Sequence, residues 1–316
     1  MKSFLPDSFC SSRAGKTTRF RNVAWLALTA AILAWSDAAT RAETVPDKLL
    51  KVVTREEDGR THFYVQNLQC GNVTATLDAQ LLNMSSSTNL PLTVTVPGKQ
   101  TVEIFTLSPL RQHAPWNFNY TFACNLGSVA AAHDEAQVYE LPYEPGTAHR
   151  VVQGHHGSFS HTGPDEYAID WKMPEGTPVC AARGGLVVKA RDNSTQGGPD
   201  RKFETLANGI LVQHVDGTIG VYLHLQKGGN KVKVGDQVKA GDVIGLSGNT
   251  GFSSGPHLHF AVYKLVSGSE RVTIPVKFRT ADSEAVIPVT GRAYMAALQP
   301  QPPVAAAGPR MTRSGS

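Results

Sequence analysis

His257-Leu258-His259 is the part of this chain whose residue types and spacing best suit chemistry. It leads into an apolar run, Phe260 to Tyr263, and follows a glycine-rich stretch from Ser247 to Pro256. Residues two apart on a strand point to the same side, so both imidazoles can face one site. The glycine-rich stretch has no Walker lysine and opens a strand rather than a helix, which sets aside a phosphate cradle. Upstream, His161 and Asp170 supply one imidazole and one carboxylate before a turn at Pro174 to Gly176. With either imidazole of the later pair they form a two-His, one-carboxylate set. Such a set leaves a fourth position open for water, the catalytic form of a zinc site. Asp165 competes with Asp170, and His155 and His156 compete with His161; spacing alone does not choose. His214 and His224 flank the Asp216-Gly217 turn, and alternation in Tyr222-Leu-His224-Leu places His224 on the face of Tyr222. Taken alone, these two also read as half-buried strand histidines.

The elements that must hold these residues are strands. In the second half they are short and glycine-punctuated, including Gly185 to Ala190, Gly209 to His214, Ile219 to Leu225 and Leu258 to Lys264, with Asp216-Gly217 as a hairpin signal. From about Lys48 to Tyr143 the pattern is period-two, most clearly where Trp116, Phe118, Tyr120 and Phe122 alternate with Asn117, Asn119 and Thr121. That row reads as the core face of a small antiparallel β-sandwich, with a carbohydrate-stacking platform as the rarer meaning. The expectation is an all-β chain: a signal peptide at 1–42, an accessory β-sandwich domain at 43–145, an antiparallel β-sheet catalytic domain at 146–295, and a disordered tail at 296–316 rich in Pro, Ala and Gly.

The first 42 residues have the layout of a secretory signal: basic residues, an apolar run of 13 residues from Val23 to Trp35, then small residues up to Ala38 or Ala42. The run is shorter than the roughly 20 residues of a spanning helix, so no stable membrane insertion is expected after cleavage. This segment holds six basic residues (Lys2, Arg13, Lys16, Arg19, Arg21, Arg41) and two acidic ones (Asp7, Asp37), so the whole formal charge of +4 resides in it. A neutral mature chain lacks the basic stripe that nucleic-acid binding needs. In the secreted, periplasmic or extracellular setting that follows, Cys70 and Cys124, both on strand-like segments, are expected to form a disulfide.

Taken in order, His161 and Asp170, Gly176-Thr-Pro-Val-Cys-Ala-Ala182, Asn208 to His214, Tyr222-Leu-His-Leu225, Val234 to Gly245, and Gly248-Asn-Thr-Gly251 to Gly255-Pro-His-Leu-His-Phe260 resemble the lysostaphin/LytM-type zinc metallopeptidases. The resemblance covers about residues 150 to 265. It implies a LytM-type metallopeptidase domain with Zn2+ as cofactor, held by His161, Asp170 and His259, and with His224 and His257 as catalytic histidines. One departure is visible: the family pattern has three residues between the first His and the Asp, and here there are eight, 162 to 169. Tyr167-Ala-Ile-Asp-Trp171 still resembles the segment around the metal Asp. The implied activity is that of a secreted zinc metalloendopeptidase. Its substrate would be a peptidoglycan cross-link or stem, or a Gly-rich protein segment that the same zinc set would serve. His257 would take the proton of the attacking water, and His224 would stabilise the oxyanion or protonate the leaving amine.

Two rival readings belong to other classes. A non-catalytic LytM-like module would bind the cell wall or activate a hydrolase; the filling of all five polar positions argues against it. The Gly-Asp rhythm of Val234 to Gly245 also resembles the hammerhead of biotinyl or lipoyl carriers, but no Met-Lys-Met turn accompanies it.

Overall fold

The structure, a computed structural model, describes residues 49–111 and 113–298 together with the backbone of residues 10–13. The rest of the expected signal segment and residues 299–316 of the expected tail lie outside the described residues. Two four-stranded sheets make up the first half. One orders Leu50–Glu57, Arg60–Asn67, Thr101–Pro109 and Met84–Ser86; the other orders Cys10–Arg13, Asn117–Leu126, Val73–Leu82 and Leu92–Val96. Period-two patterning produces them: along Arg60–Asn67, the buried positions are Thr61, Phe63, Val65 and Asn67. The aromatic row is core. Phe118, Tyr120 and Phe122 are buried, and Phe63 meets Phe118 and Tyr120 edge-on at 5.5 and 5.3 Å, contacts that add about 0.5–1.5 kcal/mol each beyond burial.

The second half is built around a nine-stranded sheet. Its path runs Gln237–Val238, Gly185–Arg191, Asn208–Gln213, Ile219–Leu225, His257–Leu265, Ile169–Lys172, Ala148–Gln153 and Ala293–Met295, with Arg271–Thr273 also paired to His257–Leu265. Helix is confined, among the described residues, to two 3-10 segments, Gly163–Asp165 and Arg201–Leu206. No helix there is long and apolar enough to cross a membrane.

The two faces of His257–Leu265 serve different cores. Leu258, Phe260 and Val262 join Trp171, Tyr222 and Phe278 in one. Ala261, Tyr263 and Leu265 point the other way and pack with Val188, Leu211, Val221 and Leu223 into the core of the sandwich. Backbone and side-chain hydrogen bonds seal this junction: Tyr263 Oη donates to Leu126 O at 2.9 Å, and the Asn72 N–H donates to Gln213 Oε1 at 2.7 Å. His257 and His259 share the parity of Ala261, so the candidate site and the sandwich stand on one side of the sheet.

Three expectations shift. The two cores do not divide at residue 145: Val138–Glu140 pairs in parallel with Lys277–Thr280, and Tyr139, Leu141 and Tyr143 are buried in the second core. The turn at Leu141 to Gly146 is therefore a corner inside the second unit. Ala296, the first residue of the expected tail, is buried there too, its backbone exchanging bonds with Gly146 and Thr147. Finally, no disulfide joins Cys70 to Cys124. Cys124 is buried within the sandwich, whereas the Cys70 thiol is directed at the neighbouring sheet and donates to Val187 O at 3.6 Å; cross-linking requires the two Cβ vectors to converge.

The Val234 to Gly245 rhythm is turn chemistry. Asp236 accepts from the Lys233 N–H at 2.9 Å and Asp242 from the Lys239 N–H at 2.7 Å, while Gly235 and Gly241 take positive φ of 98° and 87°.

Candidate active site

Asp170 lies directly opposite His259 in the antiparallel ladder, and Gln153 opposite Asp170, so all three side chains emerge on one face. His161 arrives from the loop between Ala148–Gln153 and Ile169–Lys172. Ligand atoms of His161, Asp170 and His259 all lie within 4.8 Å of one another, and all three residues are buried. His161 Nδ1 donates to Gly154 O at 2.9 Å, which leaves the lone pair of Nε2 facing the cluster, 3.1 Å from Asp170 Oδ1 and without an aligned hydrogen bond. His259 presents Nδ1 to the same oxygen at 2.9 Å.

Burial alone would raise the Asp170 carboxyl, but the imidazoles of His257, His161 and His259 beside it outweigh burial and hold it well below the usual carboxylate range. For His161, burial would lower the imidazole, and the Asp170 carboxylate beside it reverses the sign and raises it. A buried carboxylate between imidazoles calls for a cation at this point, a proton or a metal ion. Two imidazole nitrogens and one carboxylate oxygen, one of them an orphaned buried atom aimed inward, are a donor set that fits zinc.

His224 reaches the cluster by breaking its strand. Asn208 pairs with Leu225 but Gly209 pairs with Leu223, so His224 is the extra residue of a β-bulge, at φ 66°. A left-handed conformation costs an L-residue about 1–2 kcal/mol. The kink overturns the expected alternation: Tyr222 points into the second core, where its Oη accepts from the Ala182 N–H at 2.8 Å, while His224 turns to the opposite side. There its ring centroid is 4.5 Å from that of His257 and 5.8 Å from that of His259. A buried network steadies the bulge. Thr250 Oγ1 donates to Leu225 O at 2.7 Å and accepts from the Asn208 N–H at 3.0 Å, and His224 Nδ1 donates to Thr250 O at 2.7 Å. Burial pushes His224 well below its ordinary range, with His257 and His259 adding to the effect. His257 Nδ1 donates to Gly255 O at 2.7 Å, and its Nε2 lies 3.8 Å from Asp170 Oδ1.

The competing ligands are engaged elsewhere. Asp165 is buried against Arg271, whose Nη2 donates to Asp165 Oδ1 at 2.6 Å. His156 pairs with Glu166 at 3.0 Å, and His155 stands edge-on to Tyr167 at 5.4 Å. His214 is buried on the hairpin, Nδ1 donating to Gly184 O at 2.9 Å.

Asp170, His224, His257 and His259 line a cleft of about 430 Å³, and His161 is buried behind them. Its walls include residues that spacing did not single out: Gln153, Ser253, and Phe159 stacked on Phe252 at 5.5 Å. Their only signal in the sequence is proximity to the histidine motifs.

Residues 164–273 match peptidase family M23. Over 95 residues the chain is 45% identical to an uncharacterized metalloprotease of Buchnera aphidicola, covering 30% of this chain and 22% of that protein. Over 91 residues it is 42% identical to the peptidoglycan DD-endopeptidase ShyA of Vibrio cholerae, covering 29% of this chain and 18% of that one. The chain thus spans about a fifth of the length of the curated relatives it matches. Among solved structures it is similar to the catalytic domain of the antimicrobial peptidase lysostaphin from Staphylococcus simulans, at 32% identity over 40% of this chain and 87% of that domain, with a TM-score of 0.29. Residues 164–273 therefore carry a peptidase family M23 segment, which the chain shares with these metalloprotease and endopeptidase relatives.

Proposed function

We propose that this chain is a secreted zinc metalloendopeptidase that cleaves peptide bonds in peptidoglycan, with His161, Asp170 and His259 as the zinc ligands. The observation that carries the reading is the convergence of these three ligand atoms within 4.8 Å, two of the residues lining the cleft beside two further imidazoles. Support for the substrate class comes from the similarity to ShyA, a peptidoglycan DD-endopeptidase. Secretion rests on the signal-like segment 1–42.

Zinc held by this set supplies Lewis acidity, lowering the pKa of water toward 7 and polarising the scissile carbonyl. The chain's own groups move the protons. Gly255 O fixes the proton of neutral His257 on Nδ1, so Nε2 is the basic atom that takes the proton of the attacking water. Thr250 O fixes His224 in the same tautomer, so neutral His224 offers an acceptor at Nε2. Either role open to His224, stabilising the oxyanion or protonating the leaving amine, therefore requires that it first take up a proton at Nε2, against the lowering that its burial imposes. The resulting imidazolium has an Nε2–H to offer a developing oxyanion.

Metal analysis of the purified full chain, followed by digestion of purified sacculi and mass spectrometry of the released fragments, tests this. The expected result is about one zinc per chain, as for a single catalytic site, and cleavage within stems or cross-links. Full zinc occupancy with intact sacculi would overturn the substrate. A chain that binds no zinc would revive the non-catalytic module, which the presence of all five polar groups disfavours.

A further inference from the structure

Gln153 ends the Ala148–Gln153 strand, after a register shift between Val151 and Gln153 that re-aims its side chain toward Asp170. Its carboxamide is engaged at every position. Nε2 donates to Asp170 Oδ2 at 3.0 Å and to Ser160 Oγ at 2.7 Å, and Oε1 accepts from the backbone N–H groups of Phe159 at 3.2 Å and Ser160 at 3.3 Å. Two N–H donors and two lone pairs are the full capacity of a primary amide. One end of the link is the second oxygen of Asp170; the other is the backbone immediately before His161. Space around it is tight, since a Cβ at Gly157 would stand 2.2 Å from Gln153 Cγ.

We infer that Gln153 is the positioning residue that makes the eight-residue interval between His161 and Asp170 compatible with a single metal site. It fastens the loop 154–160 to the carboxylate, so that His161 and Asp170 are set by one group. The inference rests on reading the cluster as a zinc site. The chemistry at position 153 is demanding: the carboxylate needs a donor while the Phe159 and Ser160 N–H groups need an acceptor. A carboxylate side chain has no donor, a hydrocarbon has neither, and asparagine is a methylene shorter. Groups that orient a metal ligand typically cost about 10- to 100-fold in metal affinity when removed.

The test is zinc titration of the full chain, with and without Gln153→Met, in competition with a chelating indicator. The zinc Kd of the variant is expected to rise about 10- to 100-fold, with far-UV circular dichroism unchanged. A residue serving only loop stability would lower the thermal midpoint and leave the zinc Kd in place. A folded variant that holds zinc as tightly as the unsubstituted chain overturns the inference. Should the variant not fold, hydrogen exchange on the zinc-loaded unsubstituted chain decides: slow exchange at the Phe159 and Ser160 amides is expected, and solvent-rate exchange at both overturns it. If the unsubstituted chain itself takes up no zinc, the zinc reading falls and this inference with it.

Discussion

His257 and His259 share one strand face, yet they meet different partners: His259 Nδ1 is 2.9 Å from Asp170 Oδ1, while His257 is tied to Gly255 O and stands farther off at 3.8 Å. Their substitutions should therefore fail differently. His259→Ala is expected to lose both zinc and activity. His257→Ala and His224→Ala are expected to keep zinc near the unsubstituted level while turnover falls about a hundredfold or more, the scale of a lost proton-transfer group. Metal analysis beside a cleavage assay on the three variants checks this, and zinc lost from His257→Ala but kept in His259→Ala would reverse the roles. The pair was legible in the sequence because strand alternation is a local rule. The face of His224 was not, since a bulge depends on the partner strand's register, here the slip between Asn208 and Gly209. Nor could spacing separate Asp165 from Asp170: what occupies Asp165 is Arg271, more than a hundred positions away.

At the scale of elements, the turn before the histidine strand is as constrained as the strand. Gly251 has φ 81°, and a Cβ there would stand 2.5 to 2.9 Å from Ala207 atoms, two of them backbone. Gly251→Ala is expected to destabilise the fold by about 2 kcal/mol or more. It should also lower turnover with zinc retained, because Thr250 O, which holds His224, moves with it; urea unfolding and metal analysis give the two readouts. The hairpin histidine supplies a pH dependence. Burial pushes His214 from an ordinary value of 6.5 down to about 4, outweighing its bond to Gly184 O. Between those values the unfolded chain binds a proton that the folded chain refuses. Stability therefore falls as pH drops through this window, by about 3 kcal/mol at its lower end from this group. His155, lowered to about 4 mainly by burial, acts in the same direction. Urea midpoints from pH 6.5 to 4 should decline, and His214→Asn should flatten the decline; an equally steep profile in the variant would refute the assignment. The hairpin at Asp216-Gly217 was readable from its residues, whereas the burial of His214 comes from packing against Tyr139, at 5.8 Å, on a distant strand.

For the whole molecule, the sandwich and the nine-stranded sheet share a core, so neither half is expected to behave as a separate body. A fragment beginning near Pro145 would expose Val188, Leu211, Val221, Leu223, Ala261 and Tyr263, and would also lose the Val138–Glu140 strand. An apolar face of that kind favours association, so the fragment is expected to aggregate or bind a hydrophobic dye, as solubility and dye fluorescence would show. The full chain should melt in one calorimetric transition; two separated transitions would contradict the shared core. The boundary expected at 145 followed from a Pro- and Gly-rich turn, and composition marks corners and linkers alike; only the pairing of Lys277–Thr280 with Val138–Glu140 tells them apart. The placement of the sandwich also has a consequence for what can reach the histidines. A strand advances about 3.4 Å per residue, so Ala261, already beneath the sandwich, lies about 7 Å along from His259. With the sandwich standing on the same side of the sheet, a single extended peptide is expected to reach the imidazoles more readily than a broad, stiff surface, which relative cleavage rates on soluble peptides and intact sacculi would show.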